Sequence, residues 1–266
     1  MNLMIKLTQL DKDNYLNDGV IKINLVTEDM SAPLFETFID ILNKYLRKNK
    51  FNQLDENVLV GWDDQLLHAA LLELRTTSPT DFGHFYNTIN LSASLHKIFY
   101  GEELLEVVAQ LLDTPSTNLC LTGLMMRVDS PVDRRNSLNW HQDSSYYLQN
   151  ANGKNGLVCW APMHEVNRNN GTLQFLKGSH KLGNVKVESS TKERFSEQRE
   201  IDDSIARNFE KNDLVANLGD VFFLSMDIIH RSGVNQSDQF RVVAGARYHN
   251  MYVSDFHTGE LRYIYL

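Results

Sequence analysis

The stretch Asn139–Asp143 combines residue types that bind transition metals. Residues i and i+2 of a β-strand point to the same face, so His141 and Asp143 would present an imidazole beside a carboxylate. Such a pair is two thirds of the two-histidine, one-carboxylate set that holds non-haem Fe(II) with open coordination positions. With 9 His and 34 Asp and Glu among 266 residues, chance alone supplies about one His-x-acid pair. The chemistry therefore requires a third ligand.

His230 is the candidate third ligand, because it ends a strand-like apolar run that starts at Asp220. Arg241 follows eleven residues later and begins the next strand-like run, and a tight return between the two runs would bring Arg241 beside His230. A guanidinium is the group best shaped to bind a carboxylate through two hydrogen bonds. Three metal ligands and a carboxylate-binding arginine are what a 2-oxoglutarate-dependent oxygenase needs. The keto acid chelates the iron at one end, and its far carboxylate must be anchored.

The composition is that of a soluble globular protein. Hydrophobic residues make up 42% and charged residues 23% of the chain, and the net charge of −8 argues against a nucleic-acid-binding surface. No signal peptide is apparent, and no apolar run approaches the roughly 18 residues of a membrane span. Cys120 and Cys159 lie in strand-like runs and are expected to be reduced core thiols. We expect a cytoplasmic monomer or homodimer that contacts neither nucleic acid nor membrane and acts on a small molecule.

The hydrophobic periodicity changes near residue 115. Before it, apolar residues recur at helical spacing, as in a helix predicted to begin at Ser31 and a second one opened by Asp63 and Asp64. From about 116 to 255, short apolar runs alternate with turn residues such as Asn169–Gly171. This order predicts an α+β fold over residues 1–266, an antiparallel β-sandwich or barrel of the jelly-roll kind with helices packed outside. Jelly rolls bind ligands between their two sheets.

One long polar segment, residues 186–212, interrupts the predicted strands. It is rich in Lys, Glu, Ser and Arg. Two interpretations stay open: a solvated excursion with one amphipathic helix, or an active-site lid, since long connections inside compact domains are often functional.

Several motifs together resemble the phytanoyl-CoA dioxygenase-like Fe(II)/2-oxoglutarate oxygenases. The matching pieces, which lie within residues 118–253 in the family's order and spacing, are Trp140–Asp143, Asn170–His180, Gly219-Asp220, and His230–Asn235 followed by Arg241. The resemblance implies a double-stranded β-helix core, iron ligands His141, Asp143 and His230, and anchoring of 2-oxoglutarate by Arg241. It also implies that the Ser232 hydroxyl could reach the same carboxylate and that Trp160 lines the pocket.

Other polar residues near the metal motif are candidate substrate contacts. Arg127, Gln142, Tyr146 and Tyr147 could each meet the substrate, or could instead support the ligands, as polar groups beside a metal site commonly do. His249, on the strand that begins at Arg241, is a further residue that could face the pocket.

The sequence thus predicts a dioxygenase that uses Fe(II), 2-oxoglutarate and O₂. The expected reaction is hydroxylation of a C–H bond in a small metabolite, with release of succinate and CO₂; desaturation and ring formation stay open. One alternative is a cupin-like metalloenzyme that uses no keto acid, in which case Arg241 would have no cosubstrate carboxylate to bind. Another is a non-catalytic ligand-binding jelly roll, for which a missing metal ligand would be typical, yet His141, Asp143 and His230 form a complete set.

Overall fold

The computed structural model describes residues 5–132, 137–147, 149, 153–185, 188–190 and 198–258. Most of the helices precede the main run of strands, as the change of periodicity predicts. The α-helices of the described residues are α1 Gln9–Asp18, α2 Glu28–Lys48, α3 Gln65–Thr77, α4 Pro79–Asn90, α5 Ala93–Phe99, α6 Glu102–Leu111 and α7 Asp203–Ala206. None of these helices is long and apolar enough to cross a membrane.

The strands form two facing antiparallel sheets and one separate hairpin. They are β1 Val20–Asn24, β2 Leu119–Asp129, β3 Gly156–Pro162, β4 Leu173–Leu176, β5 Glu188–Ser190, β6 Gln198–Glu200, β7 Lys211–Asp213, β8 Asp220–Ser225, β9 His230–Ser232 and β10 Arg241–Asn250. The larger sheet has the order β1-β8-β3-β10-β2, the smaller one β7-β4-β9, and β5 pairs with β6. Two such sheets with helices outside are the architecture of a jelly roll.

The larger sheet is covered on both faces. Along β3, Cys159 and Ala161 face the helices, while Val158 and Trp160 belong to the hydrophobic cluster between the two sheets. Every residue of β3 is therefore buried. A strand covered on both faces needs apolar residues at successive positions, which explains why this strand is a continuous apolar run in the sequence.

The N-terminal part departs from the prediction in two places. It is not wholly helical, because β1 pairs with β8 at the edge of the larger sheet. Its five residues are too few to show a clear periodicity, although Val20 and Ile21 are both buried. Helix α2 begins at Glu28, ahead of the predicted start at Ser31, because the extended backbone ends at Thr27.

The polar segment 186–212 contains a packed portion. Ile201 and Ala206 are buried in a cluster with Trp140, and the Ile201 N–H donates to the Trp140 carbonyl at 2.7 Å. Strand β7 then joins the smaller sheet. Residues 201–213 are thus packed into the fold, and a lid role for segment 186–212 stays a prediction. Residues 186–187 and 191–197 of that segment lie outside the described residues.

Candidate active site

The backbone brings His141, Asp143 and His230 together. His141 and His230 form an isolated antiparallel bridge, in which each backbone N–H donates to the other residue's carbonyl, at 2.9 and 3.0 Å. Gln142 is extended, and Asp143 begins a short 3₁₀ turn, so the side chains of residues 141 and 143 converge. Asp143 Oδ1 lies 3.6 Å from His141 Nε2 and 3.8 Å from His230 Nε2. One ligand atom from each residue lies within 4.8 Å of the other two, close enough to bind a single metal ion.

Backbone carbonyls fix the tautomer of both histidines. His141 Nδ1 lies 2.7 Å from the Asn139 carbonyl, and His230 Nδ1 lies 3.1 Å from the Ile228 carbonyl. A carbonyl only accepts, so each Nδ1 must carry the hydrogen and each Nε2 keeps its lone pair. A hydrogen bond of this kind from the far ring nitrogen is what orients a metal-binding histidine.

Electrostatics keep His230 and Asp143 in the states that bind metal. Burial, followed by repulsion from His141, lowers the pKa of His230 to about 4, so its imidazole is neutral at pH 7. Burial by itself would raise the pKa of Asp143, but the positive charge of Arg247 and the neighbouring histidines outweigh it and hold that pKa well below its usual range. Neutral imidazole and ionised carboxylate are the ligand forms that metals require.

The three residues lie in a cavity of about 320 Å³ between the two sheets. Val158, Trp160 and Val243 line it from the larger sheet, and Leu173 and Ser232 line it from the smaller one. Its size is in the range of small-molecule sites, and its wall is mainly apolar with a few polar groups.

Arg241 is buried beside this cavity without being part of its wall, and only 3% of its surface is exposed. Its Nη2 donates to Asp129 Oδ2 at 2.6 Å, and Arg127, which does line the cavity, lies 3.1 Å from the same oxygen. Among the described residues, the Arg241 Nε and Nη1 atoms are buried without a hydrogen-bond partner. Buried polar groups are nearly always paired, so these two donors fit an acceptor such as a bound anion.

The other predicted site residues divide into two groups. Trp160, Ser232, Arg127 and Tyr146 line the cavity, and their contacts with substrate or cosubstrate stay predictions. Gln142 does not line the cavity: its amide donates to the carbonyls of Gly183 and Asp227 and accepts from the Val185 N–H. The predicted substrate contact by Gln142 is therefore wrong on geometric grounds, because the extended backbone turns this side chain away from its two neighbours, His141 and Asp143.

Arg247 is the site residue whose role the sequence did not reveal. It lines the cavity, and its Nε donates to Asp143 Oδ2 at 2.7 Å. Burial tends to lower the pKa of Arg247, but the attraction of Asp143 outweighs this and the pKa is raised. The period-two alternation of β10 was an available signal, because residues 241, 243, 245 and 247 share one strand face.

His249 does not line the cavity; it is fully buried, with its Nε2 3.1 Å from Thr122 Oγ1. Both cysteines are unbridged, and Cys159 is buried, as expected.

Comparison with known proteins gives one family match. The family model of phytanoyl-CoA dioxygenase matches residues 40–243, which is most of the chain. Among curated proteins, none matches the sequence.

Solved structures of similar fold cover almost the whole chain. The non-heme monooxygenase ThoJ is 18% identical, with 90% of this chain and 76% of its own covered and a TM-score of 0.59. The epimerase SnoN, in complex with Fe3+, alpha ketoglutarate and nogalamycin RO, is 14% identical, with 91% and 83% covered and a TM-score of 0.59. The non-heme alpha ketoglutarate dependent carbocyclase SnoK from nogalamycin biosynthesis is 17% identical, with 92% and 84% covered and a TM-score of 0.59. The predicted α+β jelly-roll fold class is confirmed.

Proposed function

Because the chain belongs to the phytanoyl-CoA dioxygenase family, whose members are enzymes of the Fe(II)/2-oxoglutarate-dependent oxygenase type, we propose that it hydroxylates a C–H bond of a small-molecule metabolite. The observation that carries this proposal is the convergence of His141, Asp143 and His230 in one cavity. Two neutral imidazoles and one carboxylate are the donor set of non-haem iron oxygenases, and they leave coordination positions open.

The residues fit iron as the resident metal. Both Nε2 lone pairs are free of protein hydrogens, since each Nδ1 donates to a carbonyl. Asp143 Oδ1 faces both histidines, so His141, Asp143 and His230 would hold the ion together.

The residues also fit 2-oxoglutarate. The buried Nε and Nη1 donors of Arg241 lack partners among the described residues, and a carboxylate would satisfy both. Asp129 occupies only the Nη2 group of Arg241, which leaves Nε and Nη1 available for an anion. We assign Arg241 as the anchor of the far carboxylate, with the Ser232 hydroxyl, which lines the cavity, as an additional contact.

The protein's contribution is to position the reactants and to exclude water. When bound, iron with 2-oxoglutarate and O₂ supplies the oxidising power for C–H attack, and the keto acid leaves as succinate and CO₂. The apolar wall formed by Val158, Leu173 and Val243 keeps bulk water from the reacting atoms. Tyr146, whose ring centroid lies 5.9 Å from that of His141, borders the space for the substrate.

Iron-dependent conversion of 2-oxoglutarate to succinate tests this proposal. Purified protein should bind Fe(II) and form succinate, and candidate metabolites that accelerate succinate release would identify the substrate class. His230→Ala should lose both iron binding and turnover, because two ligands no longer fix one face of the ion. His84→Ala, which removes an exposed histidine on α4, is the matched control and should behave as wild type. Iron binding that survives in His230→Ala would refute the ligand assignment.

Product analysis tests the hydroxylation step separately. SnoN is named an epimerase and SnoK a carbocyclase, so a shared fold is compatible with several outcomes of C–H attack. Under ¹⁸O₂, hydroxylation places one labelled oxygen atom in the product of the true substrate. A product that carries no label, or that has lost two hydrogens, would contradict hydroxylation and indicate epimerisation, desaturation or ring closure.

A further inference from the structure

Arg247 makes an ion pair with the carboxylate of the candidate metal site. Its Nε and Nη2 atoms both lie 2.7 Å from Asp143 Oδ2. The other carboxylate oxygen, Oδ1, is the one that faces His141 and His230, at 3.6 and 3.8 Å. The two oxygens of Asp143 therefore have different surroundings: Oδ2 accepts hydrogen bonds from Arg247, and Oδ1 faces the metal site.

A bulge in the larger sheet gives Arg247 its position. Gly245 is paired with Met125, but Arg247 is paired with Thr122, so β2 contains one residue more than β10 over this interval. The extra residue leaves Gly123 with a φ of 58°, a conformation that favours glycine. The Gly123 carbonyl accepts from Arg247 Nη1 at 3.4 Å.

The Tyr147 ring packs against the Arg247 guanidinium. The Arg247 guanidinium carbon lies 4.5 Å from the centre of the Tyr147 ring, which is a cation–π contact. A Cβ atom at position 123 would lie only 2.6 Å from the Tyr147 ring, so the glycine also provides the space that the tyrosine occupies. The bulge at Gly123, the Tyr147 ring and the Asp143 carboxylate together hold the Arg247 guanidinium in one place.

The hydrogen bonds of Arg247 distinguish it from Arg241. All three guanidinium nitrogens of Arg247 have partners, Asp143 and Gly123. Arg241 has two nitrogens without a partner among the described residues. The donors available for an external carboxylate thus belong to Arg241, and those of Arg247 are committed to a metal ligand.

We propose that Arg247 is a positioning residue that restricts Asp143 to binding the metal through Oδ1 alone. This inference rests on the proposed function, in which the site holds iron. If Oδ2 were released, the carboxylate could swing to bind the ion through both oxygens and occupy one more coordination position. The keto acid needs two positions and O₂ needs one, so a one-oxygen carboxylate preserves all three.

Co(II) is the probe that tests this assignment, because its visible absorption responds to the set and geometry of its ligands without requiring turnover. In Arg247→Gln we expect Co(II) affinity to be retained, an absorption spectrum that differs from the wild-type spectrum because a second carboxylate oxygen replaces a water ligand, and affinity of the Co(II)-loaded protein for 2-oxoglutarate lowered about tenfold. Arg247→Lys, which preserves the charge but has a single ammonium, should lie between wild type and Arg247→Gln.

The controls separate the possible outcomes. Arg168→Gln removes an exposed arginine that pairs with Asp213 outside the cavity, and it should match wild type in spectrum and affinity. Circular dichroism establishes that each variant is folded, and Arg247→Lys carries the test if Arg247→Gln is not. Wild-type Co(II) spectra in both Arg247 variants would overturn the inference. If the spectra are unchanged but the affinity for 2-oxoglutarate falls, Arg247 is a direct keto-acid contact and the inference is also overturned. Failure of the wild-type protein to bind Fe(II) or Co(II) would instead defeat the proposed function.

Discussion

Arg241 and Arg247 lie on the same face of β10, yet their surroundings suit them to different tasks. Arg247 faces the carboxylate of Asp143, so its charge is neutralised within the site. Arg241 pairs with Asp129 through Nη2, and its Nε and Nη1 donors have no partner among the described residues. An anionic cosubstrate is therefore attracted to Arg241 and not to Arg247.

Replacing Arg241 with lysine tests its role as the anchor. Arg241→Lys should raise the KM for 2-oxoglutarate by about tenfold or more, because an ammonium cannot make the paired hydrogen bonds of a guanidinium. The KM for the primary substrate should change much less. Steady-state kinetics with each reactant varied in turn give both values, and Arg168→Lys serves as the control. An unchanged KM for 2-oxoglutarate would move the anchor to another residue, with Arg127 the next to replace.

At the residue scale, the sequence revealed ligand types better than side-chain directions. His141, Asp143 and His230 could be selected because metal binding demands particular atoms at a spacing that the backbone permits. Gln142 sits between two of them but points the opposite way, a direction set by its contacts with residues 183, 185 and 227. Those contacts arise from chain segments far apart in sequence, so local spacing could not reveal them.

At the scale of elements, the packed portion after β6 supports the metal-binding loop. Ile201 and Ala206 cover Trp140, the residue that precedes His141. The Arg231 guanidinium carbon lies 4.5 Å from the centre of the Trp140 ring on the smaller-sheet side. The position of His141 thus depends on the packing of residues 201–206 as well as on its bridge to His230.

Truncation of Ile201 tests that support. Ile201→Ala should lower the free energy of unfolding by about 2–4 kcal/mol, because it removes buried methyl groups from a closed cluster. It should also weaken Co(II) binding, since Trp140 would lose a packing partner next to a ligand. Urea unfolding and calorimetric titration with Co(II) measure the two effects. Val215→Ala, at a half-exposed site, is the control and should change stability by less than about 0.5 kcal/mol. Equal stability of the two variants would contradict the supporting role of Ile201.

The elements that the sequence did not predict are those that depend on distant partners. Strand β1 has only five residues and becomes a strand by pairing with β8 across about 200 residues of chain. The bulge at Gly123 is a shift in register between β2 and β10, so it cannot be recognised from the sequence of either strand alone. Long amphipathic helices and buried strands such as β3, by contrast, carry their own periodicity, so the fold class could be predicted.

At the scale of the whole molecule, the helical layer helps to hold the strand that carries Arg241. His68, on α3, accepts the Phe240 N–H through Nδ1 at 3.0 Å, and His164 Nε2 accepts the Val242 N–H at 2.9 Å. These two histidine rings bond the residues on either side of Arg241. His164 Nδ1 in turn lies 2.9 Å from Asp63 Oδ1, in the loop before α3. The candidate anchor is therefore positioned by contacts between the helices and the larger sheet.

The stability of the molecule should accordingly fall in mild acid. Burial, followed by repulsion from His164, lowers the pKa of His68, and burial lowers the pKa of His249 to about 4. The folded protein thus binds fewer protons than the unfolded chain, in which histidine titrates near about 6.5. This contribution is complete above about pH 6.5 and is lost as the pH falls, by up to about 1.4 kcal/mol per pH unit for each histidine.

Replacing His68 with asparagine isolates its share of this pH dependence. The shorter amide side chain offers Oδ1 to the Phe240 N–H in place of Nδ1 and has no proton to gain, so His68→Asn should lose stability less steeply than wild type between about pH 6.5 and 5. Urea unfolding of metal-free protein across this range gives the slopes. His68 lies outside the metal site, so any contribution of that site is common to both proteins and cancels in the difference. His84→Asn, at an exposed position of α4, should retain the wild-type slope. Identical slopes for wild type and His68→Asn would mean that the pKa of His68 is the same in the folded and the unfolded chain, which would contradict the lowered pKa.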